Sequence, residues 1–457
     1  MSTLTVHNPA SDATIAELPQ DDAQSIAAKY GAARAAQSAW AARPLQARID
    51  ILRGFRDVLT ADVERLAAIL TSETGKPIRQ AKNEIKGLRA RIDFFLESTG
   101  ATIAPRDVHN ATGMREQISH EPLGVIANIS AWNYPYFVGG NVFVPALLTG
   151  NAVLYKPSEF AALTGLEIGK MLHRSGVPKD VFAVLIGDGA TGAELIGQPI
   201  DGVFFTGSYA TGMRIAHELG PRMVKLQLEL GGKDPIYVRE DVDVAAAAAS
   251  LADGAMYNTG QSCCSVERIY VHQSIYDDFV AAFVKEVAAF KRGDPTADDT
   301  YIGPLTRAPQ IEVLERQLAD AVAKGAKVVL GGSRIETPGN WFYPTVLTDT
   351  AHSMEVMRDE SFGPIIGIQK VDDDDEAVRL MNDTEYGLTA GVYTQDEQRA
   401  RSLLSQLRAG SVYWNCCDRV SPRLPWSGIG HSGVGLTLST YGIETFTRPK
   451  AWHLKSV

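Results

Sequence analysis

The residue in this chain best placed for covalent chemistry is a cysteine in a loop. Residues 258–268, NTGQSCCSVER, follow an alanine-rich helical stretch, and Gly260 breaks that helix. Cys263 is thereby left on a turn. A thiolate is a strong nucleophile, but an ordinary thiol titrates near ~8.5, so activation needs positive charge or backbone N–H groups close by. From this segment alone, two small buried cysteines are the plainer alternative. Glu229 could act beside it. In residues 224–232, VKLQLELGG, Val224, Leu226, Leu228 and Leu230 alternate with Lys225, Gln227 and Glu229. That is the period of a strand with one apolar face. Glu229 then points away from the leucines, just before a Gly-Gly turn, where a carboxylate can swing as a general base. Taken alone, it reads as a solvated strand end.

Two further segments carry chemistry of the same kind. Residues 130–135, SAWNYP, follow an expected strand. A side-chain amide at the C-terminal edge of a parallel sheet, here Asn133, can donate to an oxyanion, although a lone asparagine is more often a turn residue. Residues 204–212, FFTGSYATG, run from a strand through Gly207 and Ser208 into a helix. A helix N-terminus entered through glycine suits a phosphate. The GxGxxG spacing of the common dinucleotide fingerprint is absent.

The elements that must position these residues follow from periodicity. Residues 21–100 read as helical, with Ile49, Leu52, Phe55, Leu59 and Leu66 on one apolar face. From Leu123 the pattern changes to short apolar runs at 124–129, 152–155, 181–186, 202–205 and 236–238, with helical stretches such as 165–175 and 211–219 between them. A second alternating region covers about 242–414, including a helix at 244–255, strands at 268–272 and 327–330, and a helix at 374–382 begun by the acidic run 372–376. Strand–helix alternation predicts an α/β chain built on parallel sheets. The tail from 445 has Phe446 and Trp452 but little else for a core, so it is expected to pair elsewhere, with a partner subunit as one option.

Composition excludes several classes. The chain has 457 residues, 45% hydrophobic and 21% charged, with a net charge of −10. The length suggests roughly two to four structural units. The acidic balance argues against nucleic acid or an anionic membrane as the main partner. Residues 1–20 lack an apolar leader, and no apolar run reaches the ~18 residues of a membrane span. The best candidate, 138–153, is broken by glycines, Pro145 and asparagines. A soluble, cytoplasmic protein is expected. The four cysteines, Cys263, Cys264, Cys416 and Cys417, form two adjacent pairs with no metal-ligand spacing, so neither disulfides nor a metal site is expected.

In order along the chain, these segments resemble the aldehyde dehydrogenase superfamily. The matching stretches are Trp132-Asn133-Tyr134-Pro135, Lys156-Pro157-Ser158-Glu159 and Phe205-Thr206-Gly207-Ser208, then the ELGGK run from Glu229 to Lys233. Gly260, Gln261 and Cys263 with Arg268 follow, then Glu360-Ser361-Phe362-Gly363-Pro364 and Tyr386-Gly387-Leu388. The likeness runs from about residue 123 to 435. It implies an aldehyde dehydrogenase-like α/β fold of two Rossmann-like parallel-sheet domains plus a small β oligomerisation arm. The implied division gives 1–105 and 122–230 to an NAD-binding domain, 231–436 to a catalytic domain, and 106–121 with 437–457 to the arm of a homodimer or homotetramer.

The resemblance also implies roles. Cys263 would attack the aldehyde, Asn133 would hold the oxyanion with the Cys263 N–H, and Glu229 would activate the hydrolytic water. Ser130, Trp132, Lys156, Ser158, Glu159, Gly207, Ser208, Gly231, Glu360 and Phe362 would bind the cofactor, with Glu159 favouring NAD over NADP. Tyr134, Phe137, Asn141, Ser262, Cys264, Val420 and Trp426 would line a tunnel that leans apolar and suits an aliphatic or aromatic aldehyde. Arg419 and Arg423 could instead fork the carboxylate of a substrate such as succinate semialdehyde. Two positions depart from the family pattern. Val142 stands where many relatives carry lysine, and Leu436-Thr437 where many carry Arg-Glu. Both have been proposed to relay protons, so their absence leaves Glu229 as the sole base. Transfer of the thioester to coenzyme A is an alternative that Glu229 argues against. A catalytically silent structural relative is another, and the intact Cys263, Glu229 and Asn133 argue against it.

Overall fold

The computed structural model describes residues 2–456. Four helices, Ala23–Ala41, Leu45–Ala61, Val63–Thr74 and Ile78–Ile103, fill the stretch read as helical. Their apolar faces bury Leu52, Phe55, Leu66 and Leu88 against the helix Pro135–Leu148. That helix is buried nearly all round, which accounts for its near-continuous apolar sequence.

Among the described residues two parallel sheets dominate. The first runs Gly433–Val434, Lys225–Glu229, Gly202–Thr206, Val125–Ile129, Ala152–Lys156, Phe182–Val184, parallel except for its two-residue edge. The order turns back between Val125–Ile129 and Gly202–Thr206, and ligands of open α/β sheets gather outside the C-terminal ends of strands at such a point. The second sheet runs Lys327–Leu330, Thr345–Thr348, Ile365–Val371, Val266–His272, Asp234–Val238, Thr389–Tyr393, Ser411–Trp414. The chain passes from the C-terminal end of Lys225–Glu229 to the N-terminal end of Asp234–Val238 within five residues, 230–234. The C-terminal edge of the first sheet therefore faces the N-terminal edge of the second, and the candidate site lies between them.

A third, antiparallel sheet joins Thr447–Lys455, Met114–Pro122 and Arg106–Ala111. The tail thus finds its pairing partner within the chain. Only its last part belongs to this arm, which the sequence reading had begun at 437. The preceding helix Ser439–Glu444 packs on Ile78–Ile103, and the Phe446 ring stacks on Phe204 at 4.5 Å. Ile443 and Phe446 supply apolar surface to the core of the first sheet, which holds 437–446 there.

The strand Lys225–Glu229 also differs from its simple pattern. Its non-leucine face is not solvated at the C-terminal end, where Gln227 is 1% and Glu229 7% exposed. Gly433–Val434 pairs with this strand and the chain after it covers that face.

Candidate active site

The crossing between the sheets depends on two glycines. A Cβ on Gly231 would lie 2.3 Å from the Glu360 carboxylate, and one on Gly232 2.6 Å from the Cys263 carbonyl oxygen. Lys233 comes next and is fully buried, with its Nζ 2.6 Å from Glu267. The Glu267 carboxylate also accepts from the backbone N–H groups of Ser361 and Phe362, each at 3.0 Å. Arg268 donates from Nε to the Lys233 carbonyl at 2.9 Å and from Nη2 to the Met381 carbonyl at 2.9 Å. Lys233, Glu267 and Arg268 thus fasten three loops around the crossing. The sequence reading used Lys233 and Arg268 only as motif marks and did not single out Glu267.

The cysteine loop is shaped by its backbone. Asn258, Thr259 and Gly260 have φ of 53°, 59° and 71°, left-handed values that end the helix Val244–Met256. Gly260 is obligatory, since a Cβ there would meet the Gly363 carbonyl oxygen at 2.3 Å. The Asn258 side chain donates to the Asn133 carbonyl at 3.2 Å and to the Gln261 carbonyl at 3.0 Å. Asn133 Nδ2 donates to the same Gln261 carbonyl at 3.2 Å. The amide proposed for the oxyanion is therefore tied to the loop that carries Cys263.

Cys263 is half-buried and its neighbour Cys264 is buried. Cys264 Sγ donates to Asp418 Oδ1 at 3.0 Å. Its hydrogen bond with Cys263 and its burial push the Cys264 thiol well above the usual range. Cys264 therefore stays protonated.

Glu229 is buried without an ion-pair partner among the described residues. Burial pushes it up to about 7, and a hydrogen bond from the Thr437 hydroxyl together with the charge of Arg91 holds it from rising further. Thr437 is one of the two family departures, and it contacts the glutamate directly. The other, Val142, is packed in the apolar core.

The helix Pro135–Leu148 begins two residues after Asn133, and its N-terminus points at Glu84. The Tyr136 N–H donates to Glu84 Oε1 at 2.9 Å. Glu84 is paired with Lys76, both fully buried, and Lys76 Nζ lies 3.8 Å from the Tyr134 ring centroid. The sequence pattern does not single out Lys76, Glu84 or Arg91, and it marks Thr437 only as a departure from the family pattern. On the helical stretch, such charges read as ordinary polar positions.

The remaining expected residues fall into two groups. Ser130, Lys156, Ser158 and Glu159 lie at or just beyond the ends of adjacent strands, with Lys156 Nζ 3.9 Å from Glu159. Burial lowers the Lys156 pKa. Gly207 donates to the Glu229 carbonyl at 3.0 Å, and Ser208 caps the helix Tyr209–Leu219. Glu360 accepts from the Gly232 N–H at 3.0 Å, and burial pushes it up to about 8. Trp132 meets Phe362 edge-on at 5.5 Å. The Ser130 hydroxyl is buried without a hydrogen-bond partner. The N-terminus of the helix Tyr209–Leu219, this orphaned hydroxyl and an aromatic wall at a topological switch point fit a dinucleotide.

On the other side, Phe137, Cys263, Cys264, Val420 and Trp426 belong to one apolar cluster. Tyr134 stacks on Phe137, and Ser262 Oγ is 3.5 Å from Cys264 Sγ. Asn141 Oδ1 accepts from Arg91. Arg419 and Arg423, by contrast, are exposed.

Comparison with known proteins agrees with this arrangement. The model of the family described as "Aldehyde dehydrogenase family" matches residues 1–452. The chain is 36% identical to the 3,6-anhydro-alpha-L-galactose dehydrogenase of Streptomyces coelicolor, covering 99% of this chain and 93% of that protein. It is 34% identical to the NADP+ succinate-semialdehyde dehydrogenase of Deinococcus radiodurans, covering 97% and 93%. The crystal structure of lactaldehyde dehydrogenase from Escherichia coli superposes with a TM-score of 0.96 at 32% identity, covering 100% of this chain and 96% of that one. The chain belongs to the aldehyde dehydrogenase family, oxidoreductases that act on aldehydes with NAD or NADP.

Proposed function

We propose that the protein oxidises its aldehyde to the carboxylic acid in two covalent stages on Cys263, with water as the second nucleophile. The observation that carries this reading is Glu229, a buried carboxylate poised near neutral pH three residues before Gly232, whose backbone packs against the Cys263 carbonyl. Cys263 thiolate attacks the carbonyl carbon and forms a C–S bond. The carbonyl electron pair moves to oxygen, where the Asn133 amide and the Cys263 N–H donate to it. A nicotinamide dinucleotide held at the ends of the first sheet's strands would supply the acceptor for the hydride of that carbon. The oxyanion collapses to a thioester, Glu229 takes a proton from water, and the resulting hydroxide displaces the Cys263 thiolate.

Ser130, Trp132, Lys156, Ser158, Glu159, Gly207, Ser208, Gly231, Glu360 and Phe362 would hold the cofactor. A carboxylate at Glu159 accepts from a ribose hydroxyl and repels a 2′-phosphate, which favours NAD over NADP. Tyr134, Phe137, Ser262, Cys264, Val420 and Trp426 would surround an aliphatic or aromatic aldehyde chain. The first parallel sheet with its helices would form the cofactor domain and the second the catalytic domain.

The third sheet would be the arm of a homodimer or homotetramer. Its strand Arg106–Ala111 is exposed along its whole length, an open edge that a partner subunit would cover. A cytoplasmic location fits four free cysteines and the absence, among the described residues, of any helix long and apolar enough to cross a membrane.

Cys263→Ser tests the scheme. NAD binding by calorimetry should stay at the wild-type level while NADH formation from any aldehyde disappears. Undiminished turnover in this variant overturns the mechanism. Carboxylate formation that requires coenzyme A overturns the hydrolytic step alone.

A further inference from the structure

The helix Ile78–Ile103 sends a cation towards the site that no carboxylate meets. Arg91 is only 6% exposed. Among the described residues it forms no ion pair, and its one side-chain hydrogen bond runs from Nη1 to Asn141 Oδ1 at 2.8 Å. Its guanidinium lies over the face of Phe137, with Cζ 3.8 Å from the ring centroid. Phe137 packs in the cluster that holds Cys263 and Val420. Asn141 and Phe137 lie one turn apart on the helix that starts just after Asn133. Arg91 is thus held by one hydrogen bond and one ring face beside the cluster that contains Cys263, with the rest of its planar fork uncommitted.

The surrounding charges do not neutralise it. Glu84 is paired with Lys76 and caps the helix through Tyr136. Glu229 is protonated over part of the neutral range. Burial pulls Arg91 down to about 10, which leaves it charged at neutral pH. A buried cation without a counter-charge is costly, and a bound anion removes that cost. Arg419 and Arg423, the arginines singled out from sequence, are solvent-exposed and held in no ion pair among the described residues.

We propose that Arg91, braced by Asn141 and Phe137, is the specificity-determining residue that reads a carboxylate on the far end of the aldehyde, so that the preferred substrates are short semialdehydes of carboxylic acids. The inference rests on the covalent role of Cys263 proposed above. The guanidinium fork matches a carboxylate in geometry and charge, while the aliphatic part of the substrate lies along Phe137 and Val420.

The test is the pre-steady-state burst of NADH, which precedes hydrolysis and so is read before Glu229 acts. Succinate semialdehyde and butanal are compared on the wild type, Arg91→Gln and Arg91→Lys. The wild type should acylate faster with the semialdehyde. Arg91→Gln should lower the second-order burst constant for the semialdehyde on the order of 100-fold and that for butanal by less than about threefold, the scale of a lost charge-assisted hydrogen bond. Arg91→Lys should restore part of the loss. Equal losses on both aldehydes, or a wild type with no preference for the semialdehyde, overturn the proposal and leave Arg91 a packing residue. If Arg91→Gln fails to fold, Arg91→Lys carries the same comparison, and an unchanged semialdehyde preference in it and in Asn141→Ala overturns the proposal. If no aldehyde gives a burst in the wild type, the covalent reading falls with it.

Discussion

Glu229 and Glu267 are two buried glutamates at facing edges of the two sheets, and they are held in opposite ways. Glu267 is saturated: it takes the Lys233 ammonium and two backbone N–H groups. Its geometry is fixed, and it has little capacity left to accept anything else. Glu229 has a single side-chain hydrogen bond, from Thr437, and no ion-pair partner among the described residues. Burial without pairing brings its titration to about 7. A carboxylate with a full set of partners fastens loops, whereas one left short of partners can exchange a proton. The motif ELGGK supplies one member of each system within five residues, Glu229 to the chemistry and Lys233 to the staple.

Removing each carboxylate should separate the two roles. Glu229→Gln should slow hydrolysis of the thioester by roughly 10²- to 10⁴-fold, the usual contribution of a general base, while the NADH burst remains. Loss of the burst itself would place Glu229 before hydride transfer. Its effect on stability has the opposite sign. The folded-state pKa is raised to about 7 from 4.5, so the stability linked to this group is present below the unfolded value and is lost as pH rises through about 7. At pH 8 the Gln variant should therefore melt no lower than the wild type. Glu267→Gln should do the reverse. It leaves Lys233 buried beside a neutral amide, so about 3–5 kcal/mol of stability should be lost, readable as a lower denaturation midpoint. A wild-type midpoint in that variant would show that the pair does not fasten the loops.

The contrast also marks what the sequence could disclose. Gly231, Gly232 and Gly260 leave a trace because backbone crowding admits no other residue there, and the chemistry sits next to them in the chain. Cys263 and Glu229 stand out as candidates beside those glycines and Asn133 through the family likeness of its segment, and alternation of apolar runs with helical stretches is enough to predict parallel sheets. Contacts made across long intervals leave no such trace. Thr437 reaches Glu229 from beyond the end of the second sheet, Arg91 and Glu84 come from the N-terminal helix Ile78–Ile103, and Lys76 comes from the loop before it. In a helical pattern, buried charges look like solvent-facing ones, and only tertiary packing distinguishes them. The packing of residues 437–446 on the first sheet's core is hidden in the sequence for a related reason. Ile443 and Phe446 suffice for burial only because Phe204 and the helix Ile78–Ile103 already supply the other side.

Thr437 allows the finest separation of the two glutamate environments. Its hydroxyl donates to the carboxylate, which favours the ionised form and lowers the Glu229 pKa. Thr437→Val removes that donor with little change of shape, so Glu229 should titrate about one unit higher, the scale of a hydrogen bond to a charged group. The base acts only when ionised, so hydrolysis rises with pH through the Glu229 pKa and the whole profile should move to alkaline pH. Turnover limited by hydrolysis should fall about fivefold at pH 7, approach a tenfold loss below about pH 6 and recover towards pH 9, following that one-unit shift. Thr437→Ser should keep the wild-type profile. A loss in Thr437→Val that is uniform across pH would mean that the residue shapes the loop and does not tune the base, and Glu229 would then owe its titration to burial and Arg91 alone.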